Sequence, residues 1–207
     1  MEHDGASIAG YPLVRALRRT AEREVWVAAD ASGQGVELHR SCPGEEGAVA
    51  REVEALLAAD HPHLLPILDV ATDDGVVLVR PLVPEDLAAW LLVRGRPEPG
   101  EAVTALAPVA DAIGALHAIG ATAGAVTAQS VRVDPDGAPL LTGEGARIET
   151  ERATAAWRES SDAVAADVAG WRALALLLAD ASGSALPDAV EAALDRRDIG
   201  EAGAALL

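Results

Sequence analysis

The chain changes its hydrophobic rhythm once, near residues 81–84. Before that point apolar residues fall in short alternating runs, and beyond it they recur at helical spacing. Glu24-Val25-Trp26-Val27 alternates with period two, which predicts a strand over 24–29 with Val25 and Val27 on one face. Tyr11 to Leu17 reads as a strand before it, with Arg18 to Arg23 as the link. A short third strand, Val36 to His39, follows the turn-forming run DASGQG at 30–35. Over 46–59, Val49, Val53, Leu56 and Leu57 make one helical stripe, and His61-Pro62 ends it. Ile67 to Ala71 and Val76 to Arg80 pair across Asp73-Asp74-Gly75, a good hairpin turn.

After the 81–84 linker, helices are predicted over 85–93 and 101–118. The second is periodic through Val103, Leu106, Val109, Ile113 and Leu116. Val131 to Asp134 and Ala138 to Leu141 form a small hairpin over Pro135-Asp136-Gly137. Residues 163–179 are apolar enough to predict a helix buried nearly all round, and short helices near 187–195 and 198–207 close the chain. Residues 1–10 read as a disordered lead. The pattern predicts an α+β chain: a small antiparallel sheet lobe with one helix over 11–82, then a mainly helical lobe over 83–207.

Composition narrows the chemistry. Half of the 207 residues are hydrophobic, mostly Ala, Leu and Val, with no Phe and four Trp. Lysine is absent, so all 16 basic side chains are arginine, and no Schiff base or phosphate-binding lysine can form. A net charge of −17 argues against nucleic acid and anionic membrane surfaces as partners, since both demand a basic footprint. Cys42 is the single cysteine, which excludes an intrachain disulfide. The first ten residues lack a basic start and apolar run, so no signal peptide is expected, nor direct membrane insertion; a cytoplasmic location is.

Residues 113–145 supply the chain's most informative motif. Leu116, His117 and Gly120, then Val131, Val133, Asp134, Asp136 and Gly137, follow the outline L-H-x-x-G…V-L-V-D-x-D-G of a bacterial Ser/Thr protein kinase catalytic loop. His61-Pro62-His63-Leu64-Leu65-Pro66-Ile67-Leu68-Asp69 resembles the same family's H-P-H-[IL]-[LV]-P segment, and Asp167-Val168 its D-V-[WY]-[SA]-L-G helix start. With YPLVRALRRTAEREVWVAAD from Tyr11, the resemblance to actinobacterial-type kinases covers 11–180. It implies a protein kinase-like two-lobed fold whose large lobe is shortened, since few residues follow the apolar helix.

The resemblance also shows what is missing. The His-Arg-Asp positions hold Ala123, Gly124 and Ala125, so the base is Ala125. Thr127 replaces the loop lysine, Ser130 the metal-binding asparagine, and Gly143-Glu144-Gly145 the Asp-Phe-Gly. The phosphate-loop glycines fall on Arg18, Thr20 and Arg23. Those arginines either hold an anion or pair on the surface with Glu22 and Glu24. His39 stands at the lysine position and Glu52 at the helix glutamate. The two either pair with each other or leave His39 as an unpaired surface histidine. Phosphoryl transfer needs phosphate positioning, Mg²⁺ ligands and a base, and each usual supplier is lost.

The expected function is therefore that of a catalytically inactive pseudokinase, a regulatory or scaffold module for a protein partner. The resemblance suggests partners in the cell envelope, in division or in phosphosignalling, including phosphothreonine readers. Thr20, Thr142, Thr150 and Thr154 are the candidate acceptors. No metal or cofactor is expected: His61 and His63 have no accompanying ligand cluster in sequence and are structural in the family, like Glu52, His117 and Asp167. The alternative is a nucleotide-binding switch or atypical phosphotransferase with Glu144 as metal ligand. The oligomeric state is not legible in the sequence.

Overall fold

A computed structural model of the protein describes residues 6–183, 188–194, 198–204 and 206. Ten strands and seven helices run in the order β1 (Ser7–Ile8), β2 (Tyr11–Arg19), β3 (Arg23–Ala29), β4 (Gly35–Ser41), α1 (Glu46–Ala59), β5 (Asp69–Thr72), β6 (Val76–Pro81), α2 (Leu87–Arg94), α3 (Pro99–Ala118), β7 (Ala121–Thr122), β8 (Val131–Val133), β9 (Pro139–Leu141), β10 (Arg147–Ile148), α4 (Ala155–Ser160), α5 (Asp162–Ser182), α6 (Asp188–Leu194) and α7 (Ile199–Ala204), counted among the described residues. The chain divides into two compact units. The first takes the described residues up to Leu57 with Pro66–Leu82, and the second takes Ala58–Leu65 with Val83 onward.

Unit 1 is a curled antiparallel sheet in the order β1-β2-β3-β4-β6-β5. Strand alternation gives it two different faces. One is aliphatic: Ile8, Ala28, Val36, Leu38, Val77 and Val79 form a core with Tyr11, Leu13 and Trp26 packed against it. The other carries Val25, Val27 and Leu78 but also Arg23, Glu37, His39 and Arg80, all buried. Helix α1 covers this second face through Val49 and Val53 on Leu78. Leu57, expected in the same stripe, is 58% exposed; Glu52 is buried instead. The predicted disordered lead is corrected over its described part, because Ser7 and Ile8 pair with Pro12 and Tyr11 and Ile8 is buried.

Unit 2 is built on α3. Leu106, Ile113 and Leu116 of this helix are fully buried, and Trp171 of α5 donates from Nε1 to the Leu106 carbonyl at 3.0 Å. Glycine lets α7 approach α3 closely, since a Cβ on Gly114 would stand 3.0 Å from Gly200 Cα. Helix α5 begins on Ser161, whose hydroxyl accepts from the Val164 amide, and stops at Gly183 with φ of 62°. The expectation that this helix is buried all round is corrected. Val164, Val168, Trp171, Leu174 and Leu178 face inward, whereas Leu176 is 61% and Leu177 41% exposed. The residues expected at 187 and 195, and at 205 and 207, lie outside the described residues.

Candidate functional site

In unit 1 the positions singled out in the sequence meet on the α1-covered face of the sheet. Period two places Arg23 on the side of Val25 and Val27, and the β3–β4 register sets Val25 beside His39 and Val27 beside Glu37. The β4–β6 register then sets Glu37 beside Arg80. Helix α1 lowers Glu52 onto this row, as the polar member of the Val49–Val53–Leu56 stripe. Glu52 Oε2 accepts from Arg23 at 2.8 Å and Oε1 from Arg80 at 2.8 Å, with all three residues at most 2% exposed. Beside them His39 Nε2 lies 2.8 Å from Glu37 Oε1. Burial pushes the His39 imidazole below its ordinary pKa. The Arg80 charge adds to that shift, while Glu37 and Glu52 oppose it.

Two expectations change here. His39 is neither an exposed histidine nor the hydrogen-bonded partner of Glu52: its bond goes to Glu37, and Glu52 is gripped by two arginines. Arg23 is not a surface arginine paired with Glu22 or Glu24, because β3 begins with it and its side chain points inward. Glu24 pairs instead with Arg19 at 3.2 Å and Arg40 at 2.6 Å, and Arg18 is exposed. Glu37 and Arg80 went unnoticed as site residues, and Arg23 was named only as a loop arginine and not as a partner of Glu52. Their signal was the alternation that carries Arg23, Val25 and Val27 onto one face, with Arg80 ending the Val76–Arg80 run.

In unit 2 the segment 121–130 is organised around Asp167. Its Oδ2 accepts from the Ala123 amide at 2.8 Å and from His117 Nε2 at 2.9 Å, so one buried carboxylate joins α3, the loop and α5. Trp157 packs edge-on against the His117 ring. The loop starts with β7, which pairs with β10, and passes very close to α5 at Gly170, where a Cβ would stand 2.6 Å from the Val126 carbonyl oxygen. Gly124 has φ of +80°, and a Cβ there would stand 2.5 Å from the Glu144 carbonyl oxygen. Ala125 is exposed and donates its amide to that same carbonyl.

Ser130 and Thr127 close a small ring. The Ser130 hydroxyl accepts from the Thr127 amide at 2.8 Å and donates to the Thr127 carbonyl at 3.0 Å. That hydroxyl is tied into the turn through both its donor and one of its lone pairs. Gly143 (φ of 60°) is buried and Glu144 half-buried. Among the described residues no three His, Cys, Asp or Glu side chains gather as a metal would need.

The His61–Leu65 segment is stitched to β9. Leu65 donates its amide to the Leu141 carbonyl and Leu141 to the His63 carbonyl. His61 Nδ1 accepts from the His63 amide, which leaves its Nε2–H to donate to Asp111 at 3.1 Å. His63 Nδ1 donates to the Pro139 carbonyl at 3.1 Å. Each ring thus uses its Nδ1 to hold backbone. Of the threonines, Thr142 is buried, Thr20 and Thr150 accept from turn amides, and Thr154 caps α4 by accepting from the Trp157 amide. Next to His117 a cleft of about 340 Å³ is lined by Arg158, Arg172, Glu159 and Asp198, where Arg158 and Asp198 pair loosely at 3.7 Å. No described helix is long and apolar enough to cross a membrane. No family model matches the chain, and no curated protein matches it.

Proposed function

We propose that the chain is a non-catalytic, kinase-shaped binding module, a pseudokinase that works through a protein partner. The observation that carries this reading is the ion cluster of unit 1. A kinase keeps a lysine on its third strand for the nucleotide phosphates, steadied by the helix glutamate. Here His39 stands at that strand position, and Glu52 at the glutamate's. Glu52 spends both oxygens on Arg23 and Arg80, and His39 is bonded to Glu37. Two arginines and two glutamates cancel, and burial favours the neutral form of His39, so the cluster has no surplus positive charge to offer a triphosphate. In unit 2, an Ala125 methyl at the base position and a Ser130 hydroxyl bound into its own turn support the same reading.

A thermal-shift titration with ATP, alone and with Mg²⁺ or Mn²⁺, tests it. A ligand that binds only the folded chain at a hundred times its Kd adds about 2.7 kcal/mol of apparent stability. At about 2–4 °C per kcal/mol for a chain of this size, that would raise Tm by roughly 5–10 °C. The expected result at 5 mM nucleotide is a shift below about 1 °C, which sets Kd at or above roughly the nucleotide concentration. A larger, metal-dependent shift abolished by Glu144→Gln would replace this reading with the nucleotide switch.

A further inference from the structure

An unassigned apolar groove lies within unit 2, between α2 and α5. Leu91 and Leu92 of α2 face Ala173, Leu177 and Ala181 of α5 across a floor made by 126–129, enclosing a groove of about 650 Å³. The α5 wall is a ridge at i, i+4 and i+8, in which one leucine stands between two alanines. From Gly170 to Ala181 it runs about 16 Å, close to three helical turns. Of the lining residues, Leu92 is 87% and Leu177 41% exposed. An exposed leucine on each wall of one apolar groove marks it as a candidate interaction surface.

The form of the groove selects its occupant. Both walls are helices whose backbone groups are bonded internally, so an extended peptide would find no sheet edge to pair with. A segment that brings its own satisfied backbone, a helix, loses nothing there. At roughly 150 Å² per fully exposed aliphatic side chain, Leu92 and Leu177 offer about 200 Å², some quarter of the 800 Å² per partner that stable interfaces bury. That area suits one docked helix better than a symmetric dimer. Charge points the same way: two copies at −17 each repel, whereas a basic segment is drawn in. We propose that this groove receives the apolar face of a basic amphipathic helix from a partner protein. The inference rests on the reading of the chain as a protein-binding module and names the partner's chemistry.

The test is selection from a phage-displayed library of randomised helical peptides against the whole protein. Affinities of the enriched peptides are then measured by fluorescence anisotropy. Enriched sequences are expected to carry apolar residues at i, i+4 and i+7 with Arg or Lys elsewhere. Leu92→Glu and Leu177→Glu are expected to weaken binding tenfold or more. Both add negative charge, so mere attraction between a basic peptide and an acidic protein would strengthen instead. Leu92→Ser gives a second variant without the charge, and an unchanged melting temperature in each shows that the fold is intact. Enrichment of acidic or non-helical peptides, or affinities indifferent to all three variants, would overturn the proposal. So would a concentration-dependent dimer in sedimentation equilibrium that Leu177→Glu dissolves, which would assign the groove to a second copy. A chain that ignores ATP yet fails this selection loses the groove alone, whereas a chain stabilised by ATP loses the wider reading.

Discussion

Replacing Glu52 by Gln keeps the shape of the side chain and removes its charge. In the native cluster the carboxylate accepts two charge-assisted hydrogen bonds of 2.8 Å from guanidinium groups that are themselves at most 2% exposed. The variant leaves Arg23 and Arg80 in the interior, with Glu37 as the carboxylate opposite Arg80. Breaking a buried pair in this way costs about 3–5 kcal/mol, mostly because charge is left without compensation. For a unit of this size 1 kcal/mol is worth about 4–8 °C, so the transition of unit 1 should fall by roughly 12 °C or more. Differential scanning calorimetry with matched urea melts reads it. A triple substitution, Arg23→Met with Glu52→Leu and Arg80→Met, removes every charge of the triad and should restore most of the loss. A Glu52→Gln loss below about 1 kcal/mol would mean that the carboxylate does not compensate the two arginines.

Other outcomes follow from the same geometry. The folded pKa of His39 lies below its unfolded value of about 6.5, so its contribution is complete above that pH and is lost as pH falls toward the folded value. Melts at pH 7.5, 6.5 and 5.5 should show an acid-side loss of up to about 1.4 kcal/mol per pH unit, absent in His39→Gln. Asp167→Ala strands the Ala123 amide and His117 Nε2 and should cost about 3 kcal/mol in urea denaturation, with faster amide exchange across 121–130. Gly170→Ala forces a methyl against the Val126 carbonyl and should cost about 2 kcal/mol; a neutral outcome would mean that the loop can move away from α5.

How much of this was legible in the sequence depended on length and period. Helix α1 occupies Glu46–Ala59, the range its stripe predicts, because 14 residues carry several turns of periodicity and His61-Pro62 punctuates the end. The two-residue strands β7 and β10 carry no period at all, and α4, little more than a turn and a half, is too short to show one. The α5 reading failed on one face because apolar composition does not decide burial: Leu176 and Leu177 need a neighbour to be covered. The ion cluster was half visible. Glu52 sits on a core stripe, which is a warning in itself, but its partners are contributed 29 residues earlier and 28 later. Only sheet register brings Arg23 and Arg80 to it, and register is not written in any local run.

The arginine–glutamate triad also bears on how faithfully unit 1 assembles. A strand that slips by one residue turns every side chain to the opposite face. For β3 or β6 such a slip would drive a guanidinium into the Ala28–Leu38–Val79 core, where that aliphatic cluster offers it no carboxylate. An all-aliphatic sheet of Val, Ala and Leu has little to tell one alignment from the next. The buried charges set a steep penalty on the wrong one, so they act as a proofreading device for a sheet whose other residues are nearly interchangeable.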